Sequence, residues 1–202
     1  MADFLAKIGL DKLDRAIIYG LVLVLVYILI ASGFAADRTW FSFLFRWLHV
    51  LSGVMWIGIL WYFNFVQIPS MPKIPDDQKP AVSKVIAPAA LFWFRWAALS
   101  TLITGLILAM LNGYLIESLT LGLAGGGVLA TRIGIGMWLG IIMAYNVWMI
   151  IWPNQQKALG MVEASADEKK AAARVAMLTS RVNTMLSIPM LYAMVGAQNL
   201  GA

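Results

Sequence analysis

The sequence alternates long uncharged runs with shorter segments that carry most of its charges. Residues 16–34 and 133–152 contain no charged residue. Each run is about as long as the ~20 residues that an α-helix needs to cross a ~30 Å hydrocarbon core. Residues 182–197 form a shorter uncharged run, which a helical pattern continues upstream. These runs predict membrane-spanning helices.

Two further runs are interrupted by only a few polar residues. Residues 40–67 contain Arg46 and His49, and residues 85–111 contain Arg95. At ~1.5 Å per residue the first of these runs reaches ~42 Å, which exceeds the thickness of the hydrocarbon core. We therefore expect this helix to tilt or to protrude from the membrane.

The segments between the runs contain residues that end or start helices. Residues 68–80 hold several prolines, which predict a break in the helix, and residues 123–128 hold consecutive glycines. Ser165 and Glu168 have the spacing of a capping box, so we expect a helix to start there and to continue into the last span. Apolar residues in that helix predict a stripe that packs against the bundle: Val175, Leu178, Val182 and Met185.

Together these elements predict one all-α integral membrane domain over residues 1–202, a bundle of five transmembrane helices. The expected spans are residues 16–34, 40–67, 85–111, 131–152 and 179–198. The expected cytoplasmic segments are residues 1–15, 68–84 and 153–178. The first run is longer than the 7–15-residue core of a signal peptide, so we expect it to be retained as a span.

Composition agrees with this class and excludes others. The chain is 61% hydrophobic and only 12% charged, whereas soluble domains carry about 25% charged residues. Its net charge of +5 is explained by the loops between spans, so we expect no nucleic-acid partner. The absence of cysteine excludes disulfides, thiolate metal sites and covalent haem attachment through CxxCH, and a single histidine excludes bis-histidine haem.

Basic residues concentrate in alternate segments, which predicts the orientation. Eleven of the fifteen basic residues fall in the segments on the N-terminal side of the membrane, and only Arg38 and Arg132 fall in the segments on the other side. The remaining two, Arg46 and Arg95, lie within spans. The positive-inside rule then places the N-terminus inside and the C-terminus outside, in a bacterial inner membrane. The basic residues of the inside set are Lys7, Lys12, Arg15, Lys73, Lys79, Lys84, Lys157, Lys169, Lys170, Arg174 and Arg181.

Function is expected to depend on polar residues within the spans. Arg46 and His49 are three residues apart and share a helix face. The nearby guanidinium disfavours imidazolium, so we expect His49 to be neutral. His49 is therefore a candidate axial ligand of haem b or a hydrogen-bond partner of a quinone. The alternative is a buried histidine bonded to a neighbouring carbonyl.

The other polar residues within the spans also allow two interpretations. Arg95 and Arg46 are candidate contacts for haem, quinone or lipid, or arginines that extend to the two membrane interfaces. Asn146, Asn183 and Ser187 are candidates for hydrogen bonds between helices, or for the wall of a polar path.

Three segments resemble the membrane domain of PuuD-type urate hydroxylases, the urate oxidase N-terminal family. They are residues 46–53 (RWLHVLSG) with 56–58 (WIG), residues 146–148 (NVW) with 152–155 (WPNQ), and residues 180–184 (SRVNT) with 186–189 (LSIP). The resemblance implies a multi-span scaffold that is coupled, in the family, to a cytochrome c domain and to urate oxidation. Residues 1–202 contain no CxxCH motif, and Val182 and the segment around Gln198 stand where the family carries histidine.

Because most of the family's histidines are absent, we expect no catalysis by this chain alone. The favoured hypothesis is a non-catalytic accessory subunit, with bound lipids, in a larger inner-membrane complex of respiratory or other redox function, whose partners are other membrane-protein subunits. The alternative is an electron-transfer or oxidoreductase protein that binds haem or quinone through His49. A transporter is disfavoured because no acidic residue lies within a predicted span.

Overall fold

The computed structural model describes residues 1–200, and these residues form helices without any strand. Five of the helices are long, and two are short. In chain order the helices are α1 (Ala2–Lys7), α2 (Leu13–Ala31), α3 (Arg38–Lys73), α4 (Lys79–Asn112), α5 (Leu115–Leu119), α6 (Gly127–Ala158) and α7 (Ala166–Asn199).

The helices α2, α3, α4 and α6 are long and apolar enough to cross a membrane. The number of such helices among the described residues is four, whereas the sequence predicted five spans. The remaining predicted span, residues 179–198, lies within the 34-residue helix α7. That helix is long enough, but polar residues such as Arg181 and Asn183 lower its hydropathy.

The chain divides into two compact units, and the boundary falls after Phe41, in the first turns of α3. In the unit Met1–Phe41, the hydroxyl of Tyr19 donates a 2.6 Å hydrogen bond to the carbonyl of Ile8. None of the apolar window of α2 is buried inside the protein. A helix that is apolar all round is suited to contact with lipid.

The second unit, from Ser42 onward, has a core between α3, α4, α6 and α7. The largest fully buried side chains include Trp56, Leu60, Phe94 and Met143. The rings of Phe63 and Phe94 meet edge to face at 5.8 Å between centroids, which joins α3 to α4.

Helix α2 ends in a widened, π-helical turn, Ile28–Ser32. Three other long helices, α3, α4 and α6, contain one such turn each. These turns are Tyr62–Gln67, Val82–Ile86 and Asn146–Ile151. Each one precedes a proline: Pro69, Pro88 and Pro153. A proline ring would collide with the carbonyl four residues earlier in a regular helix, and the wider turn removes that collision.

The prolines of residues 68–80 therefore break the chain less than expected. Helix α3 continues through Lys73 and α4 resumes at Lys79, so only residues 74–78 lie outside helices. The predicted break in the helix is confirmed, and it is limited to residues 74–78.

The capping box at the start of α7 is confirmed. The Ser165 backbone N–H donates to the Glu168 carboxylate at 2.7 Å, and the Glu168 N–H donates to the Ser165 hydroxyl at 3.3 Å. As expected, the helix continues without interruption to Asn199.

The apolar stripe on α7 was assigned to the wrong face. The side chains expected to pack inward are 42–61% exposed: Val175, Leu178, Val182 and Met185. The buried stripe instead consists of small and polar residues: Ala172, Ala176, Ser180, Asn183 and Ser187. Small side chains let helices approach closely, and the polarity of the buried face of α7 is inverted relative to that of a soluble helix.

Candidate functional site

The His49 cluster lies where α3 meets α4 and the end of α7, and it consists of Arg46, His49, Thr101, Gly105 and Gln198. His49 Nδ1 lies 2.9 Å from the carbonyl oxygen of Thr101. Arg46, one turn away on α3, donates from Nη1 to Gln198 Oε1 at 2.8 Å. The structure thus brings together two of the three residues predicted to contact a cofactor.

The Thr101 carbonyl determines which ring nitrogen of His49 carries the proton. A carbonyl oxygen only accepts hydrogen bonds, so Nδ1 must be the donor. In a neutral imidazole the other nitrogen, Nε2, then presents a lone pair, and it has no hydrogen-bond partner within residues 1–200. This tautomer suits ligation of a metal or acceptance of a hydroxyl proton, and it does not suit donation to a quinone carbonyl.

Gly105 allows the imidazole of His49 to approach α4 closely. A Cβ at position 105 would lie 2.7 Å from Cε1 of His49 and 3.0 Å from Nδ1. Any larger residue would therefore displace the ring and break its bond to Thr101. The position of His49 depends on the absence of a side chain on the facing helix.

Tyr114 lies near Arg46, in the connection between α4 and α5. Burial raises the pKa of its phenol, while the charge of Arg46 and a hydrogen bond with Asn112 oppose that rise. The phenol therefore stays protonated at neutral pH and adds a neutral polar group near the arginine.

Arg95 lies apart from the His49 cluster. It precedes Thr101 by six residues, which is ~9 Å along α4 at ~1.5 Å per residue. Its guanidinium carbon lies 3.6 Å from the ring centroid of Trp152. The indole of Trp148 donates to the Arg95 carbonyl at 3.2 Å. Arg95 is thus held by aromatic rings of α6, and the predicted set of Arg46, His49 and Arg95 does not form one site.

Polar side chains of α7 bond to α6 and α3 along its buried stripe. Asn146 Nδ2 donates to Asn183 Oδ1 at 2.8 Å, and Asn183 Nδ2 donates to the Met143 carbonyl at 2.9 Å. On the α3 side, Trp61 Nε1 donates to the Ser187 hydroxyl at 3.0 Å. We call these bonds, together with the one described next, the polar seam.

The fourth bond of the polar seam joins Asn64 Nδ2 to the Ser180 hydroxyl at 2.8 Å. Asn64, Trp61 and Ser180 were not among the predicted site residues. Asn64 could have been found, because an amide within an apolar run needs a partner on another helix. The role of Gly105 could not be predicted from the sequence, because it depends on the close packing of α4 against His49 of α3.

The donor groups near His49 limit the cofactors that it could hold. Its neighbours Thr101, Thr104 and Gly105 carry no imidazole, thioether or carboxylate. Among the described residues no group of three or more His, Cys, Asp and Glu side chains could hold a metal ion. His49 therefore fits a haem only as a single axial ligand through Nε2, and it fits a quinol as an acceptor for one hydroxyl.

A comparison with protein families gives one match. Residues 127–199 match the family model described as urate oxidase N-terminal, which is little more than a third of the chain. No curated protein and no solved structure matches. The matched residues begin at the first residue of α6 and end at the last residue of α7. The chain therefore resembles the urate oxidase N-terminal family over its α6–α7 helix pair, which contains Asn146 and Asn183 of the polar seam.

Proposed function

We propose that this chain is a non-catalytic accessory subunit of a larger inner-membrane complex, of respiratory or other redox function. The observation that carries the proposal is the use of polar groups in the region that resembles the family. Asn146 and Asn183 bond to each other, and Asn183 also bonds to the Met143 carbonyl. Polar groups bonded between helices hold a scaffold together and are not free to bind substrate.

The proposal includes five spans, with the N-terminus inside and the C-terminus outside. The fifth span is the second half of α7. From Arg181 to Asn199 this helix rises ~27 Å, close to the thickness of a hydrocarbon core. Between these two ends its exposed face carries large apolar side chains, including Ile188, Tyr192 and Val195. The distribution of Lys and Arg supports the orientation, and the bacterial inner membrane is proposed on the same basis.

Labelling single cysteines tests the topology, because the chain has no cysteine of its own. Gln198→Cys should react with an impermeant maleimide added outside intact cells, and Lys170→Cys should react only after the membrane is permeabilised. Reaction of both positions from the same side would contradict the fifth span.

Native extraction tests the subunit role. After solubilisation in a mild detergent, the chain should migrate on a native gel with a membrane complex much larger than itself, and cross-linking should join it to other membrane subunits. A single species of the mass of this chain alone, from freshly lysed cells, would contradict the proposal.

A second candidate function is haem or quinol binding through His49. The observation in its favour is the Nε2 lone pair, which has no partner in the described chain while Nδ1 bonds to Thr101. A stoichiometric Soret band in the purified protein, lost in His49→Ala and retained in Arg95→Gln, would favour this function over the accessory role. Quinol binding would instead appear as a photo-affinity label on α3 that His49→Ala removes.

A further inference from the structure

Three basic residues line one exposed face of the first half of α7. Lys170, Arg174 and Arg181 are spaced by four and seven residues, so they lie within one narrow stripe of an α-helix. All three are exposed, and none makes an ion pair or hydrogen bond within residues 1–200. We call these three residues the basic stripe. Its charges have no counter-ion within the described part of the chain.

The packing of α7 fixes the direction in which the basic stripe faces. Ala172, Ala176 and Ser180 are 5%, 0% and 6% exposed, and they lie on the opposite side of the helix. Ser180 also bonds to Asn64 of α3. Because this face is closed against the bundle, the helix cannot rotate to bring the basic stripe inward.

Apolar side chains border the basic stripe. Val175 and Leu178 are 42% and 46% exposed, although they belong to the part of α7 that precedes Arg181. Further along the helix, the same exposed surface becomes entirely apolar, with Met185 and Ile188 61% and 65% exposed. A surface of this kind changes from lipid-facing to basic along one helix, as at a boundary between acyl chains and headgroups.

Acidic residues do not neutralise the stripe. Asp167 and Glu168 lie in the first turn of α7, and no acidic residue follows them in the helix. The Glu168 carboxylate accepts the Ser165 backbone N–H at 2.7 Å, so its charge is directed to the helix start. Lys170, next to this turn, is closest to the acidic groups, and Arg174 and Arg181 lie progressively further from them.

We propose that the first half of α7 is a binding site for anionic phospholipid headgroups. Arg181, at the start of the proposed fifth span, contacts the phosphates. Arg174 and Lys170 lie ~10 and ~16 Å further along the helix axis, on the aqueous side, and attract the anionic headgroups from there. Basic residues near an anionic membrane surface are each attracted to it by ~1 kcal/mol, and phosphate oxygens accept the N–H groups of lysine and arginine. The inference rests on the membrane placement of α7 proposed above, and it does not require the partner complex.

Native mass spectrometry of the purified full chain tests the site. The protein is released from micelles that contain equal amounts of phosphatidylglycerol and phosphatidylcholine. We expect the wild-type chain to retain more phosphatidylglycerol than phosphatidylcholine. In the variant Lys170→Gln/Arg174→Gln/Arg181→Gln the ratio of retained phosphatidylglycerol to phosphatidylcholine should fall about tenfold. The variant Lys73→Gln/Lys79→Gln/Lys84→Gln removes the same charge elsewhere and should keep most of the preference.

Two further variants separate charge from packing. Arg174→Lys/Arg181→Lys keeps the positive charges and should retain the anionic lipid. Val175→Ser/Leu178→Ser keeps every charge and changes only residues on the aqueous side of Arg181, so it should leave the preference for phosphatidylglycerol unchanged. Circular dichroism confirms the helical content of each variant before the comparison. Equal losses in the two glutamine variants, or no preference for phosphatidylglycerol in the wild-type chain, would overturn the site.

The outcome is independent of the subunit role. A chain that runs alone on a native gel but prefers phosphatidylglycerol would contradict the accessory function and support the lipid site. A chain that runs within a larger complex but shows no lipid preference after purification would support the accessory function and contradict the lipid site. Labelling of Lys170→Cys and Gln198→Cys from the same side would contradict the membrane placement of α7 and, with it, the lipid site.

Discussion

Helices α2 and α7 show opposite relations between hydropathy and burial. Helix α2 has the highest mean hydropathy of the four candidate spans, 2.2, and none of that apolar window is buried. Helix α7 is too polar to be counted among those spans, yet it buries eight residues, among them Asn183 and Ser187. Of these two helices, the more apolar one is exposed and the more polar one makes the contacts between helices.

The proposed placement of α7 in a membrane accounts for this inversion. Lipid tails are as apolar as leucine side chains, so burying leucine between helices gains little free energy in a bilayer. An amide or hydroxyl facing lipid, by contrast, lacks a hydrogen-bond partner and is strongly disfavoured. The polar groups of α7 therefore turn towards α3 and α6, and apolar groups such as Val182 and Met185 remain outside.

Replacing one buried amide of α7 should have the largest effect. Asn183→Ala removes the bonds to Asn146 and to the Met143 carbonyl and leaves a cavity at a side chain that is 0% exposed. We expect the free energy of unfolding to fall by about 3 kcal/mol. Thermal unfolding in detergent, followed by circular dichroism, measures the change.

The matched control for this variant lies in α2. Leu23 is 69% exposed, so Leu23→Ala should change the free energy of unfolding by less than about 0.5 kcal/mol. Equal destabilisation by the two alanine variants would show that α2 is packed as tightly as α7, and the comparison between the two helices would fail.

Two glycines of α6 offer the next test. A Cβ on Gly134 would overlap the carbonyl oxygen of Ser118 and lie 3.0 Å from Leu121 Cδ2. Gly134→Ala should therefore destabilise the protein by about 2 kcal/mol, because backbone cannot move away as a side chain can. Thermal unfolding in detergent measures this change.

Gly140 is the control within the same helix. A Cβ on Gly140 meets nothing within 4 Å. Gly140→Ala should raise stability by about 0.5 kcal/mol, since alanine restricts the unfolded chain more than glycine does. The prediction is that the two substitutions have opposite signs. Destabilisation of similar size at both positions would show that the contact of Gly134 with Ser118 does not determine the effect of the substitution.

Loss of one bond of the polar seam should have a smaller effect. Trp61→Phe removes the indole N–H that donates to Ser187. Trp93→Phe removes the same atoms from a side chain that makes no polar contact within residues 1–200 and is 53% exposed. We expect Trp61→Phe to lower the free energy of unfolding by ~0.6 kcal/mol more than Trp93→Phe does. Equal changes in the free energy of unfolding for the two variants would show that the bond from Trp61 to Ser187 contributes no net stability.

The sequence predicted the helical class because uncharged runs of ~20 residues have few alternatives. It also predicted the start of α7, since the bonds of a capping box lie within four consecutive residues. It misplaced the inward face of α7, because the assumption that apolar residues pack inward holds for helices in water. It also missed the continuation of α3 past Pro69, which depends on a widened turn over Tyr62–Gln67.

The candidate site was predicted only where its residues share a helix. Arg46 and His49 are one turn apart on α3, so spacing alone places them together. Thr101, Gly105 and Gln198 join them through contacts between helices, and such contacts depend on how α3, α4 and α7 pack. Arg95 was grouped with His49 by residue type, although its guanidinium stacks on Trp152 instead.

The smallest expected effect concerns the first turn of α7, where Asp167 and Glu168 are exposed. The hydrogen bond from the Ser165 backbone N–H lowers the pKa of the Glu168 carboxyl, and the bond with the Ser165 side chain lowers it further. Because the folded pKa lies below the unfolded one, the stabilisation is complete above the unfolded pKa and is lost as pH falls through the folded pKa. Amide exchange of residues 166–169 should therefore accelerate severalfold on acidification, relative to the rest of α7. Glu168→Gln keeps an acceptor that cannot titrate, so the acceleration should disappear, and its persistence would assign it to another group.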